Sequence, residues 1–280
     1  MPIKLYKPTS AGRRNSSAQD FSDITKNKPT RSLTMRIQKK SGRNNTGAIT
    51  VRHHGGGVKK LYRMVDFVQR KLGVVATVDA IEYDPNRGPR IALITYADGV
   101  KSYILAGSTM KVGDTVLSTD QKVDPAPGIR MPLEYIPVGL FVYNVELEAG
   151  KGGQIVRGAG SSAQIQTIEG KFAQLKLPSG EVRLIPKECM ATIGRIGNAD
   201  YQLVRYGKAG RKRHMGWKPR VNGKDMNPVD HPHGGGEGHN PIGLRGGPKT
   251  IWGKKAMGVK TRKKKSSDAL IIARRNAKIA

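Results

Sequence analysis

The sequence predicts a mainly β protein with two small barrels in the middle of the chain and a long, extended, basic arm on each side. The first observation is the charge: residues 1–72 hold 17 basic and 3 acidic side chains, residues 73–200 hold 13 and 14, and residues 201–280 hold 20 and 4. Second, the neutral middle alternates apolar and polar residues in short runs, as strands do. Third, the flanks are too charged and too poor in large apolar residues to bury a core, so we expect them to fold only on a partner.

The first barrel is predicted from residues 61–122, which show four or five short strand patterns and no helical period. Apolar residues at 74, 76, 78 and 80 switch phase to 81 and 83, as in a strand that crosses a bulge or sharp bend. An apolar run at residues 91–96 precedes Asp98-Gly99, a two-residue hairpin signal, and a last strand is expected around Val116. Short, bent strands favour a five-stranded oligonucleotide-binding (OB) barrel.

The second barrel is predicted after a Pro-rich link at residues 123–128. Apolar residues at 141, 143, 145 and 147 alternate strictly with polar ones, which predicts a half-buried strand. Two more alternating runs flank Pro178-Ser179-Gly180 and predict a hairpin with a three-residue loop. Residues 129–200 therefore fit an SH3-like barrel.

These patterns predict four segments along the chain. They are a basic N-terminal extension over residues 1–60, an OB domain over 61–124, an SH3-like barrel over 125–201 and a basic C-terminal extension over 202–280.

Composition limits the possible partners. A net charge of +29 over 280 residues calls for a polyanion, which could be RNA, DNA or an anionic membrane. A single cysteine, Cys189, excludes a disulfide framework and multi-cysteine zinc sites, and it suits a reducing compartment. The longest apolar run is about residues 136–143, and the N-terminus lacks a signal-peptide hydrophobic region. We therefore expect a cytoplasmic protein. Composition alone leaves the three polyanions open; with the motifs described below, we expect no membrane partner and no cofactor.

Two loops stand out because each combines histidines with three consecutive glycines, and one lies in each basic arm. They are Arg52-His53-His54-Gly55-Gly56-Gly57 and His231-Pro232-His233-Gly234-Gly235-Gly236. Three glycines allow a backbone to approach a phosphate closely, although a flexible turn is an equally good interpretation from local sequence alone.

His231 and His233 are also candidates for metal ligation or general-base catalysis, because imidazole titrates near neutrality and binds divalent metals. Only Asp230 and Glu237 flank the pair, no cysteine lies near, and no serine or cysteine stands in a nucleophile setting. The sequence therefore favours neither a metal site nor an enzyme.

Arginines and basic runs supply the other candidate RNA contacts. Arg87 ends a turn of the first barrel and Arg157 follows a Gly-rich loop of the second; each could fork onto phosphate oxygens or be a solvated surface charge. The runs at residues 211–214 and 262–265 show no helical face, which predicts extended segments on phosphates. Aromatic residues make up only 5% of the chain, so we expect contacts mostly to phosphate and sugar.

Read in order, several blocks resemble the bacterial large-subunit ribosomal protein L2 family. The blocks that carry the resemblance are Arg43-Asn44-Asn45-Thr46-Gly47, Arg52-His53-His54-Gly55-Gly56-Gly57, Leu61-Tyr62-Arg63-Met64-Val65-Asp66-Phe67, Glu82-Tyr83-Asp84-Pro85-Asn86-Arg87, Gly150-Lys151-Gly152-Gly153-Gln154, Gly207-Lys208-Ala209-Gly210 and the block from Met226 to Gly238 that contains His231-Pro232-His233-Gly234-Gly235-Gly236. The resemblance covers nearly the whole chain. Residues 26–40 and 243–260 carry no such motif.

The resemblance implies an OB barrel followed by an SH3-like barrel, primary binding to large-subunit ribosomal RNA, and a role in subunit joining. It also implies support of tRNA binding and of the peptidyl transferase region, other ribosomal proteins as neighbours, and a contact with the small subunit. By resemblance Arg87 and Arg157 bind RNA, and His231 lies near peptidyl transfer in a positional role while RNA carries the chemistry. The expected RNA-binding residues are Arg43, Arg52, His53, His54, Gly55, Gly56, Gly57, Arg63, Arg87, Arg157, Lys208, Arg211, Arg213, His231, His233, Gly234, Gly235, Gly236, Arg262 and Lys263.

Two rival functions remain to be separated by experiment. An enzyme that uses His231 as a general base predicts activity without RNA, and a nucleoid-type protein predicts equal affinity for duplex DNA and ribosomal RNA at one salt concentration. An organellar ribosome of bacterial type is an alternative to the cytoplasm.

Overall fold

The computed structural model of the chain describes residues 3–275. The chain forms two compact units. The first unit contains the described parts of Met1–Gln38, Lys59–Ala209 and Ala269–Ala280, and the second contains Lys39–Val58 and Gly210–Asp268. No helix among residues 3–275 is long and apolar enough to cross a bilayer.

The described chain is mainly β, with short strands and very short helices. The strands are β1 (Lys4–Leu5), β2 (Ser17–Ala18), β3 (Thr34–Arg36), β4 (Leu61–Arg63), β5 (Ala76–Glu82), β6 (Ile91–Tyr96), β7 (Lys101–Leu105), β8 (Thr115–Val116), β9 (Arg130–Pro132), β10 (Phe141–Tyr143), β11 (Ala163–Glu169), β12 (Phe172–Lys176), β13 (Val182–Pro186), β14 (Met190–Ile193) and β15 (Ile271–Ala273). The α-helices are α1 (Ala11–Arg14) and α2 (Ala209–His214). The 3-10 helices are Arg31–Leu33, Leu133–Tyr135, Ala199–Leu203, Gly223–Asp225 and Ser266–Leu270.

The OB domain is built on an antiparallel four-stranded sheet in the order β7-β6-β5-β8. The chain after β4 joins the edge of this sheet through a single parallel bridge between Val65 and Tyr103. The predicted strand at residues 91–96, the hairpin at Asp98-Gly99 and the last strand at Val116 are all confirmed. Gly99 has a φ of +80°, which is why glycine suits this turn.

The predicted phase switch in β5 is present, but it occurs earlier than expected. The register shifts between Val78, which pairs with Ile94, and Ala80, which pairs with Leu93. Val78 consequently packs in one apolar cluster and Ala80 in another, on opposite faces of the sheet. A one-residue bulge moves every later side chain to the other face, so the switch lies at Asp79 and not between residues 80 and 81.

The segment before residue 38 covers the second face of this sheet. Buried Arg90 donates from Nε to Asp23 at 2.9 Å and from Nη2 to the carbonyl of Asp20 at 2.8 Å. Tyr103 donates its hydroxyl to buried Glu82 at 2.6 Å and accepts from the Thr30 N–H at 2.9 Å. These polar contacts fix the segment from Asp20 to Thr30 against the OB sheet.

The SH3-like domain forms a seven-stranded sheet in the order β15-β13-β12-β11-β10-β14-β9. The hairpin predicted around residues 178–180 is confirmed, with Lys176 opposite Val182 and the Leu177 N–H donating to Glu181. Strand β15, from the C-terminal part of the chain, adds to the edge of β13. The C-terminal segment therefore contributes a strand to this barrel.

The strand predicted through residues 141–147 is wrong beyond Tyr143. Asn144 takes a φ of +50° and ends β10, and the alternation of burial also fails because Asn144 and Glu146 are as buried as Val145. The polar residues are inside because they hold an internal network, which alternation alone cannot reveal.

The second unit pairs the two basic arms directly. The N–H groups of Gly55 and Val58 donate to the carbonyls of Gly216 and His214, and the Lys218 N–H donates to His53. The prediction of an extended segment at residues 211–214 is wrong, because these residues lie in α2. Residues 262–265 carry no regular secondary structure, as predicted.

Candidate RNA interface

The second unit is highly charged and has no buried side chains. Lys39–Val58 and Gly210–Asp268 together hold 19 basic and 4 acidic residues, a net charge of +15 in 79 residues. The remaining 201 residues carry +14. None of the described residues of the second unit is buried, so apolar burial contributes little to its stability. A structure of this kind suits binding to a polyanion, which supplies both counter-charge and packing surface.

The first glycine loop is shaped by its contact with the opposite arm. Gly57 has a φ of +79°, and a Cβ at this position would lie 2.7 Å from the backbone nitrogen of Gly216. Gly56 also has a positive φ, of +66°, but a Cβ there would meet nothing within 4 Å. Gly57 is therefore required by the polypeptide itself, whereas Gly56 faces open space where a ligand could approach.

A lysine fixes the carbonyl groups of this loop. The Lys39 ammonium donates to three successive carbonyls, those of Gly56, Gly57 and Val58, at 3.1, 2.8 and 2.6 Å. In a trans peptide the N–H points opposite to the carbonyl, so the Gly57 N–H is directed away from Lys39. The loop thus turns carbonyl oxygens toward a cation of the protein and a backbone donor away from it, an arrangement that suits an anion.

The second glycine loop is closed by its own histidines. The Nδ1 atom of His231 accepts the His233 N–H at 3.0 Å, and the Nε2 atom of His233 accepts the Lys249 N–H at 2.8 Å. The two rings lie 4.7 Å apart. A Cβ on Gly234 would lie 2.3 Å from the Asn227 carbonyl oxygen, so close packing of the polypeptide accounts for this glycine.

These hydrogen bonds determine what the two imidazoles can do. A neutral imidazole has one acceptor nitrogen and one N–H, and both acceptors are used by the backbone. Nε2 of His231 and Nδ1 of His233 are therefore left as donors, which suits a phosphate or a ribose hydroxyl better than proton abstraction. Within residues 3–275 no three or more His, Cys, Asp or Glu residues are grouped to hold a metal ion.

The structure brings Arg87 and Arg157 together on one aromatic ring. Their guanidinium carbons lie 5.5 and 4.4 Å from the centroid of Phe67, one from the OB domain and one from the SH3-like domain. Arg87 is half-buried and also pairs with Asp84 at 3.2 Å, while Arg157 is exposed. Cations over an aromatic face are held in place, so both guanidinium groups are already oriented for a bidentate contact with phosphate oxygens.

The Gly-rich loop before Arg157 contacts protein backbone. A Cβ on Gly152 would lie 2.8 Å from a methyl group of Val68, and the Gly153 N–H donates to the Phe67 carbonyl at 2.9 Å. Gly152 therefore lets the SH3-like domain sit directly on the segment that carries Phe67, the ring that Arg157 shares with Arg87. Gly153 is required by its own domain, because a Cβ there would lie 1.9 Å from the side-chain oxygen of Asn144.

A buried ion pair holds this loop through hydrogen bonds to its backbone. Arg130, fully buried, donates from Nη2 to Glu146 and from Nη1 to the Asn144 carbonyl, each at 2.8 Å. Glu146 also accepts backbone N–H groups from Gly150 and Gly152 at 3.1 and 3.0 Å. Burial lowers the pKa of Arg130, and its attraction to Glu146 opposes that shift.

The buried thiol of Cys189 and the buried phenol of Tyr143, both in the SH3-like core, are unreactive at neutral pH. Burial raises the pKa of Cys189 to about 12, with the Glu146 carboxylate adding to the effect. Burial also raises the pKa of Tyr143 above its usual range. Neither group suits a nucleophile at neutral pH.

The other expected RNA-binding residues occupy different environments. Arg63 is buried and donates to the Leu61 carbonyl at 2.8 Å, which makes it a contact within the protein. Arg262 pairs with Asp268. The remaining expected basic residues are exposed or half-buried: Arg43, Arg52, Lys208, Arg211, Arg213 and Lys263.

Sequence reasoning missed several residues that shape these surfaces. Phe67, Lys39, Arg130 and Glu146 all act through contacts between positions distant in the chain. The only available signal was an aromatic residue inside a motif block, for Phe67, and charged residues in neutral strands, for Arg130 and Glu146.

Two family models match the chain. "Ribosomal Proteins L2, RNA binding N-terminal domain" matches residues 30–118, and "Ribosomal Proteins L2, C-terminal domain" matches residues 126–253. Together the matched ranges span more than three quarters of the chain and include the OB sheet, the SH3-like sheet as far as β14, and both glycine loops.

Proposed function

The chain belongs to the ribosomal protein L2 family, and on this premise we propose that it is a structural component of the large ribosomal subunit that binds large-subunit ribosomal RNA directly. The family is one of ribosomal, RNA-binding proteins, which agrees with the OB domain and the basic surface. The proposed finer roles are to support subunit association, tRNA binding and the peptidyl transferase region, with a contact to the small subunit and with other ribosomal proteins as neighbours. We further propose a cytoplasmic ribosome as its location.

The observation that carries the proposal is the second unit, with its net charge of +15 and no buried side chain. Folded RNA supplies phosphates along both strands, and neutralising them releases counterions, which drives binding. We expect residues 43–60 and 208–265 to enter the RNA while the barrels contact its surface. Binding should consequently weaken steeply with salt.

The proposed role of His231 is positional. Its Nδ1 atom is occupied by the His233 N–H, so the imidazole closes the loop and offers Nε2–H to the RNA. The peptidyl transfer chemistry then belongs to the RNA, and the protein acts without catalysing the step itself.

Arg87 and Arg157 are the proposed anchors on the barrels, and their replacement by lysine tests the proposal. Lysine keeps the charge but loses the planar fork, so Arg157→Lys should weaken binding to purified large-subunit ribosomal RNA about tenfold, the value of one charge-assisted hydrogen bond. Arg195→Lys is the matched control, because Arg195 is also exposed and lies 3.9 Å over a ring, that of Phe141, in the same barrel. Filter binding at one stated salt concentration measures both.

Arg87→Lys should also lower stability, because Arg87 is half-buried and pairs with Asp84. The proposal fails if wild-type protein binds duplex DNA as tightly as large-subunit ribosomal RNA under the same conditions. If Arg157→Lys binds the RNA as tightly as Arg195→Lys does, Arg157 is not part of the RNA-binding site.

A further inference from the structure

A short hairpin in the second unit presents a tryptophan at its tip. In this hairpin Lys249 bridges Lys255, and the Thr250 N–H donates to the Lys254 carbonyl at 2.7 Å. Gly253 closes the loop with a φ of +75°, the left-handed position typical of a three-residue hairpin loop. Trp252 precedes this glycine and is 76% exposed.

The hairpin is held by both glycine-loop regions. The Lys249 N–H donates to His233 at 2.8 Å, and the guanidinium carbon of Arg52 lies 5.8 Å from the Trp252 ring centroid. Trp252 therefore has a defined place on the unit, and the Arg52 contact still leaves most of the ring open.

A single exposed apolar side chain is common and by itself indicates nothing. Trp252 differs because of its surroundings: Lys249, Lys254 and Lys255 lie within three positions of it in the same hairpin, and Arg52 contacts the ring. A flat π-surface surrounded by cations matches a nucleobase with its phosphates, because the ring stacks on the base while the cations meet the backbone. An apolar protein partner would leave these four positive charges without counter-charge.

We propose that Trp252 stacks on a nucleobase of the ribosomal RNA, with the hairpin lysines on the neighbouring phosphates. This inference rests on the proposed function, because the base belongs to the RNA that the chain binds. It adds one base contact to an interface for which the low aromatic content predicted phosphate and sugar contacts.

The test uses the full chain and purified large-subunit ribosomal RNA in filter binding over a series of salt concentrations. Trp252→Leu should weaken binding about 5- to 150-fold, the range for loss of one stacked base. The slope of log affinity against log salt should not change, because no cation is removed. Trp252→Phe should keep most of the affinity, since a ring remains. Met257→Ala is the matched control, a 70% exposed apolar residue nearby in the sequence, and should bind as wild type does.

Tryptophan fluorescence gives an independent readout. RNA should quench the wild-type emission, and Trp252→Phe, which retains only Trp217, should lose most of that quenching. Equal quenching in both proteins would overturn the inference, as would unchanged affinity of Trp252→Leu or equal losses in Trp252→Leu and Trp252→Phe. If the wild-type chain shows no preference for large-subunit ribosomal RNA, the proposed function itself fails, which is a distinguishable result.

Discussion

Replacing Arg130 by methionine should destabilise the SH3-like domain strongly. The side chain is 0% exposed and forms an ion pair of 2.8 Å with Glu146, whose side chain is 1% exposed. Arg130→Met leaves the Glu146 carboxylate buried without its cation. Removing one partner of a buried pair typically costs about 3–5 kcal/mol.

The cost should lie near the lower end of that range. Glu146 retains three backbone donors, the N–H groups of Gly150, Gly152 and Met190, which continue to stabilise its charge. We expect the free energy of unfolding to fall by about 3 kcal/mol. For a folding unit as large as the first unit, which contains the SH3-like domain, the melting temperature changes by about 2–4 °C per kcal/mol, so it should fall by about 6–12 °C.

Circular dichroism during heating measures this change. Lys171→Met, at an exposed position between β11 and β12 of the same domain, is the control and should alter the free energy of unfolding by no more than about 0.5 kcal/mol. Adding Glu146→Gln to Arg130→Met removes the unpaired charge and should recover part of the loss. A melting temperature for Arg130→Met within about 2 °C of the control would refute the account, given the same scaling.

Three further predictions concern the glycine loop, the thiol and the histidine. Gly57→Ala should weaken ribosomal RNA binding more than Gly56→Ala, because both have positive φ but only Gly57 lacks room for a Cβ; equal affinities would contradict the steric argument. Cys189 should resist a thiol reagent in native protein at pH 8 and react after unfolding in urea, because burial raises its pKa to about 12. The contribution of this pKa shift to the free energy of unfolding is full below the unfolded thiol pKa of about 8.5 and declines as the pH rises toward 12. Fast labelling of native protein would show that the thiol is accessible. His231→Ala removes the acceptor for a loop N–H and should weaken RNA binding, while wild type without RNA should show no peptidyl transfer; RNA-free activity that disappears in the variant would support the enzyme instead.

Local sequence patterns predicted much of the fold. Strand β6 and the hairpins after it and around residues 178–180 depend on alternation and turn residues that are neighbours in the chain. The bulge in β5 was detectable from the same pattern because a change of face changes the phase of the apolar residues. Its position was off by one or two residues, since Ala80 is itself apolar and continues the earlier spacing in the sequence although it faces the other cluster.

Contacts between distant positions could not be predicted. Nothing local indicates that residues 271–273 pair with β13, or that Arg90 is buried against Asp23. Asn144 and Glu146 have the spacing of solvent-facing residues in a strand, but they belong to an internal network with Arg130. Alternation of polar and apolar residues does not show which side chains are buried, because burial also depends on partners elsewhere in the chain.

The candidate site was partly predictable for the same reason. The two glycine loops and the two arginines are visible in the sequence, but the contacts that shape them are not. Gly57 and Gly234 are required by facing protein backbone, and Arg87 and Arg157 meet over the ring of Phe67, which is distant from both in the chain. These arrangements depend on the folded structure of each unit.

Sedimentation of tagged protein with ribosomal subunits shows directly whether the chain is part of the large subunit. The protein expressed in cells should travel with the large subunit and stay bound at moderate salt, with release only as salt is raised further. Protein that remains at the top of the gradient, or that travels with the small subunit alone, would contradict the claim that this chain is a structural component of the large ribosomal subunit.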